Sequence, residues 1–168
     1  DDNTSWVFEN SDGRDITTDS NYSFSTYAID LDEDGDMDIL VANAADDINK
    51  WYENDGNDPP SWTSHNITTD ANDSQSIYPA DIDGDNDLDI VIGDYGVFSS
   101  ERNRWYKHDG TPSNGWIGYD ITTEADDTTS ISVADIDRDG DNDIIVGNYN
   151  DKNKWYEKPL PTPADCLP

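Results

Sequence analysis

One cysteine stands in the whole chain, Cys166, so no disulfide can form within it. Basic residues are nearly as scarce. Nine Lys and Arg stand against 39 Asp and Glu, a formal charge of −30. Holding a phosphate backbone takes basic patches, so a nucleic-acid partner is excluded. No apolar run approaches the ~20 residues that cross a bilayer, and no membrane insertion is expected. No useful length of chain repeats apolar residues at helical spacing. Apolar residues amount to 33% of the 168, too few for a large aliphatic core. The six Trp and nine Tyr must therefore carry much of the burial. The chain opens at Asp1-Asp2 without an initiator Met, as expected of a processed or excised segment.

Self-similarity is what the sequence has in abundance. Ile16-Thr17-Thr18, Ile67-Thr68-Thr69 and Ile121-Thr122-Thr123 open three units. Each then runs through a Ser-rich stretch, an Asp-rich loop, a β-branched run and a Trp-Tyr pair. The runs Ile39-Leu40-Val41, Ile90-Val91-Ile92 and Ile144-Ile145-Val146 suit strands covered on both faces. Asn54-Asp55-Gly56 and His108-Asp109-Gly110 supply turns. Each unit reads as four short strands in the order Ile-Thr-Thr, loop-entering, loop-leaving and Trp-Tyr. The Trp strand occurs a fourth time at Trp6-Val7-Phe8, giving about thirteen strands. The expected organisation is one repeat domain over 1–158, with units near 14–56, 65–110 and 119–158. Residues 1–13 are an extra terminal strand and 159–168 a Pro-rich tail.

The loops carry carboxylates at alternate positions. They comprise Asp30, Asp32, Asp34, Asp36 and Asp38; Asp81, Asp83, Asp85, Asp87 and Asp89; and Asp135, Asp137, Asp139, Asp141 and Asp143. Calcium takes six to eight hard oxygen ligands at ~2.3–2.6 Å, and a tight loop turning side chains 1, 3 and 5 inward supplies three of them. A main-chain carbonyl at position 7 and a two-oxygen carboxylate at position 9 would complete the shell. Position 6 must tolerate positive φ, and it holds Gly35, Asn86 and Gly140. The second loop has an extra glycine at position 4, Gly84, so its turn is expected to differ. An EF-hand is excluded because position 12 is Val41, Ile92 or Val146 rather than Glu. One such loop could be a solvated acidic turn, but three in step with the repeat predict three Ca2+ sites. Magnesium fits less well, since it prefers few carboxylates and retained water.

Asp-x-Asp-x-Asp-Gly-x-x-Asp between strands, recurring every ~50 residues with Trp-Tyr after it, resembles the FG-GAP/VCBS repeats. Those repeats form the blades of integrin α-subunit-like β-propellers. The resemblance covers residues 1 to about 158, and Ala80–Asp85 with Asp89–Gly93 is the nearest match. It implies an all-β fold of three four-stranded antiparallel blades. It also implies calcium held by the Asp side chains at positions 1, 3, 5 and 9, with main chain from position 7. Family propellers close with more blades than three, so a small or open propeller with an extra terminal strand is expected. Open edge strands predict self-association head to tail. Glycans and other extracellular proteins are the alternative partners.

The remaining residues are less informative. All six Trp fall at repeat positions, which favours packing over a sugar platform. Lys50, Arg104 and Lys154 precede three of them, for pairing with nearby Asp or for cation–π contact. Neither His65 nor His108 has a Cys or His partner at metal spacing. Periodic Asp pairs are accounted for by calcium, and no enzymatic activity is expected. Four Asn-x-Ser/Thr sequons, at Asn3, Asn21, Asn66 and Asn72, would be glycosylated only in a secretory system. The sequence thus predicts an extracellular calcium-binding repeat protein of structural or adhesive type.

Overall fold

The structure, a computed structural model, describes residues 13–18, 22–45, 47–96, 102–108, 110, 112, 115–122, 127–149 and 151–158. Among these there are eleven strands and no helix. The strands are β1 (Ser23–Ile29), β2 (Asp38–Asn43), β3 (Asn49–Asn54), β4 (Trp62–Thr68), β5 (Ser74–Ala80), β6 (Asp89–Asp94), β7 (Asn103–Lys107), β8 (Ile117–Thr122), β9 (Thr128–Ala134), β10 (Asp143–Asn148) and β11 (Lys154–Tyr156). They form three open antiparallel sheets, β1-β2-β3-β4, β5-β6-β7-β8 and β9-β10-β11.

Two expectations need correction. The third sheet has three strands rather than four among the described residues. The sequence unit and the sheet are also out of phase by one strand. The Ile-Thr-Thr segment does not open a sheet; it closes the preceding one. β4 pairs with β3 through Trp51↔His65, and β8 pairs with β7 through Trp105↔Tyr119. The reason is the path of the chain. The Trp strand turns back on the Ile-Thr-Thr strand as an antiparallel neighbour, whereas the shorter link from the Ile-Thr-Thr strand to β5 or β9 crosses to the inner strand of the next sheet. Ile16-Thr17-Thr18 forms no strand. Trp6-Val7-Phe8 and the Pro-rich tail lie outside the described residues.

The β-branched runs form the middle of each sheet, as their two-sided apolarity requires. Every residue of β6 is buried. Leu40, Trp51, Ile77, Ile90 and Ile92 fill one core cluster with Leu31, whereas Val91, Ile131, Ile144 and Val146 fill another with Ile82. Each cluster lies at a junction between consecutive sheets, and the inner strands pack in the order β1, β5, β9. Trp51 is 1% exposed and stacks on His65 at 4.5 Å; Trp105 stacks on Tyr119 at 4.8 Å. Removing a buried Trp such as Trp51 would cost about 3–5 kcal/mol.

Polar links repeat across the same junctions. The Asn49 amide donates to Ser74 Oγ at 2.9 Å, and the Asn103 amide donates to Thr128 Oγ1 at 3.0 Å. Within the sheets, the backbone N–H groups of Asn43, Asp94 and Asn148 donate to the side-chain oxygens of Asn49, Asn103 and Asn153. Ser74 and Thr128 hydroxyls return bonds to Asp94 and Asn148. Buried polar groups are tolerated here because each finds a partner within its own sheet or in the next.

Candidate metal centre

Each acidic loop joins the inner strand of a sheet to the next strand out: β1 to β2, β5 to β6 and β9 to β10. Position 1 folds the loop over itself. Asp30 accepts the Gly35 N–H at 3.1 Å, Asp81 the Asn86 N–H at 3.0 Å, and Asp135 the Gly140 N–H at 3.2 Å. Position 6 is left-handed throughout, with φ of +100° at Gly35, +74° at Asn86 and +99° at Gly140. Position 4 is left-handed too, at Glu33 (+61°), Gly84 (+84°) and Arg138 (+68°). Gly84 therefore does not give the second loop a different turn; it gives a common turn at lower conformational cost.

Position 9 anchors the loop to the sheet. Asp38, Asp89 and Asp143 have no exposed surface, and each accepts the N–H of the position-2 residue, Leu31, Ile82 or Ile136, at 2.9–3.0 Å. The second oxygen of Asp38 accepts the Asn54 N–H at 2.9 Å, and that of Asp143 accepts the Lys158 N–H at 3.4 Å. Asp89 lacks this second bond; its Oδ1 is buried without a partner. Burial pushes the Asp89 carboxyl up to about 7 and raises Asp38 as well.

Carboxylate oxygens of Asp30, Asp32 and Asp38 lie within 4.8 Å of one another, as do those of Asp135, Asp137 and Asp143. In the second loop the converging set is Asp81, Asp83 and Asp85, and Asp137 with Asp139 also approaches Glu157. The ordinary Ca–O distance allows one ion to touch oxygens this far apart. Buried Asp30 Oδ1 and Asp83 Oδ1 have no hydrogen-bond partner, so oxygens suited to a cation are left without one. The donor set therefore fits a hard divalent ion. Asp34 Oδ1 is occupied by the Asp36 N–H in the first loop. The position-7 side chains stand apart from these groups. The Asp36 carboxylate lies against Gly56 and the Asp87 carboxylate against Gly110, where a β-carbon would meet them. Asp141 is likewise outside the converging sets, with Oδ1 buried and unpartnered.

A family match agrees with this geometry. The FG-GAP-like repeat matches residues 30–92 and 93–157. The chain belongs to that family. A search of curated proteins finds no match. FG-GAP repeats are structural and interaction repeats, typical of extracellular proteins and often calcium-binding. No helix among the described residues is long and apolar enough to cross a membrane.

Sequence reasoning missed one participant. The residue after each Trp-Tyr pair, Glu53, Lys107 or Glu157, faces the loop of its own sheet. In the second sheet the Lys107 ammonium pairs with Asp83 and, at 2.8 Å, with Asp85. Those two carboxylates hold Lys107 protonated well above its ordinary range, and Lys107 holds Asp85 below its own. The signal was visible as a sign change at one repeat position. Of the pre-Trp basic residues, Arg104 pairs with Asp70 and, at 2.9 Å, with Asp120 rather than with a ring face.

Proposed function

We propose that this FG-GAP-like chain is a calcium-stabilised structural and interaction module of the extracellular type. The observation that carries the reading is the convergence of three carboxylates at the equivalent loop of all three sheets. Calcium would be held by Asp30, Asp32 and Asp38, with Asp34 within reach; by Asp81, Asp83 and Asp85, with Asp89 behind them; and by Asp135, Asp137 and Asp143, with Asp139 beside them. Asp36, Asp87 and Asp141 would contribute main-chain oxygen only. The ion's role is charge neutralisation, which removes the repulsion that otherwise opposes loop closure. Calorimetric titration of chelator-treated protein with Ca2+, paired with thermal unfolding in EGTA, tests the reading. Saturable binding with a raised Tm is expected; an identical Tm with and without Ca2+ would defeat it.

A second reading, as a glycan-binding module, is favoured by one feature. A cleft of about 710 Å³ is lined by Trp116, Tyr119, Arg104, Asp70 and Asp120, a mix of planar and charged groups suited to sugar rings. Glycan-array screening in calcium checks it, and silence across the array removes it.

A further inference from the structure

The two internal junctions provide templates for a third. At each, the residue at loop position 2 is covered by the following sheet: Leu31 is 2% exposed and Ile82 5%. Ile136, at the same position of the third sheet, is 44% exposed. Trp51 and Trp105 are each capped by a ring from the outermost strand of their sheet. Trp155 is 45% exposed, and β11 is the sheet edge among the described residues. The third sheet therefore ends as an interrupted repeat among those residues, without the outer strand and the following sheet that the other two have.

A segment that matches this outer strand exists elsewhere in the sequence. In sequence, Gly13-Arg14-Asp15-Ile16-Thr17-Thr18 matches Gly118-Tyr119-Asp120-Ile121-Thr122-Thr123, of which Gly118–Thr122 lie in β8, at five of six positions. It belongs to no sheet here. The register of β7 with β8 can be transferred directly. Arg104↔Asp120 becomes Lys154↔Asp15, Trp105↔Tyr119 becomes Trp155↔Arg14, and Tyr106↔Gly118 becomes Tyr156↔Gly13. Each replacement is chemically sound. The Arg104–Asp120 ion pair at 2.9 Å keeps its signs, and a guanidinium replaces a phenol ring over the indole. The glycine is kept where a β-carbon on Gly118 would lie 2.9 Å from the Tyr106 ring.

The spacing continues past that strand. Thr68 to Ser74 and Thr122 to Thr128 each span six residues, and so does Thr17 to Ser23. Seating Thr17 opposite Asn153 thus brings Ser23 to the place where Ser74 and Thr128 receive the amides of Asn49 and Asn103. On β1 the position in register with Ile77 of β5 and Ile131 of β9 is Thr26, which is exposed, whereas Ile77 and Ile131 are buried against the preceding sheet. We infer that the edge β11 and the Ile136 face receive the Gly13–Thr18 segment and Ser23 of a second copy of this chain, extending the row of sheets head to tail. The donor is a second copy because Arg14 lies 3.8 Å from Asp58 beside the first sheet, with the second sheet standing between it and β11. A contact that joins two different surfaces of identical chains propagates as a filament or closes as a ring. The inference does not depend on the calcium reading, since it rests on strand register alone.

Cross-linking between separately purified copies tests it, in a Cys166→Ser background. One copy carries Asp15→Cys and the other Lys154→Cys, directly opposed in the inferred register. Mild oxidation should give a disulfide-linked pair from this mixture, while Arg14→Cys with Lys154→Cys gives none because the two side chains leave opposite faces. Asp15→Lys and Lys154→Asp should each weaken association several-fold by light scattering, and mixing the two variants should restore it. Three results would overturn the inference: no disulfide between the Asp15→Cys and Lys154→Cys copies, equal linking by the Arg14→Cys copy, or an internal bridge in a dilute chain bearing both the Asp15→Cys and Lys154→Cys substitutions.

Discussion

Asp94 is a carboxylate where the other two repeats have an amide, and replacing it with Asn should stabilise the protein in a pH-dependent way. Asn43 and Asn148 accept a hydroxyl bond from Ser23 and Thr128, and each amide donates to a backbone carbonyl, Ile48 or Lys152, at 2.9 Å. Asp94 accepts the Ser74 hydroxyl at 2.6 Å but, when ionised, has no donor to offer. It is 6% exposed, and burial pushes its pKa up from 3.8 to about 7 despite the bond from Ser74 and the proximity of Arg104. The sign follows from proton binding. Between pH 4 and 7 the folded state holds a proton that the unfolded state has released, so this group's contribution to stability falls as pH rises. The loss is complete above pH 7, where a shift of about three units corresponds to on the order of 2–4 kcal/mol after allowance for relaxation. Asp94→Asn removes that penalty. Urea unfolding of both proteins in saturating Ca2+ should show the variant more stable by this amount at pH 8. The advantage should shrink by roughly 1 kcal/mol per pH unit below pH 7 and vanish near pH 3. Other carboxylates titrate in both proteins and cancel in the difference. An advantage that is absent at pH 8, or unchanged at pH 4, would refute the argument.

Three further outcomes are expected. Lys107→Glu gives the second sheet the acidic residue found at Glu53 and Glu157, and should raise the calcium affinity of that loop about tenfold or more by calorimetry. Asp38→Ala and Asp143→Ala should each lower the Tm in calcium well below Asp36→Ala, because the former remove buried anchors and the latter a side chain turned toward Gly56. Gly93→Ala places a methyl 2.6 Å from Thr128 Cγ2 and 2.9 Å from Ile131 Cγ1, and should cost about 1–3 kcal/mol in denaturant unfolding.

The all-β architecture and the place of the loops were legible because they depend on local chemistry. β-branched runs bounded by turn residues can do little but pair, and Asp at every second position with a positive-φ residue at the sixth can do little but curl. Sheet boundaries were not legible in the same way. The repeat in sequence has no natural origin, so Ile67-Thr68 can be read as opening one unit or closing another. Only the pairing of β4 with β3 decides it. The turn at position 4 was misread for a related reason. Gly84 looked exceptional beside Glu33 and Arg138, yet the loop imposes the same backbone on all three. Lys107 escaped because it lies 22 residues from Asp85, and a single sign change inside a regular spacing carries no meaning until the strand brings it to the loop.

That sign change bears on how the three loops divide their work. The first and third position-9 carboxylates are held by two backbone donors each, so Asp38 and Asp143 tie the base of the loop to the sheet. In the second loop Asp89 has one donor, and its free oxygen is buried while Lys107 neutralises Asp83 and Asp85 instead. The middle sheet, covered on both sides by its neighbours, thus carries an internal cation. On the calcium reading proposed above, the two outer loops would depend on a cation from solution more than the middle one, whose site Lys107 already partly neutralises. Chelation should then loosen the first and third loops while leaving the second closed. Amide exchange at Gly35 and Gly140, compared with Asn86, in EGTA reads this directly. Equal deprotection at all three would mean that Lys107 does not substitute for an ion, and that the middle loop needs calcium as much as the others.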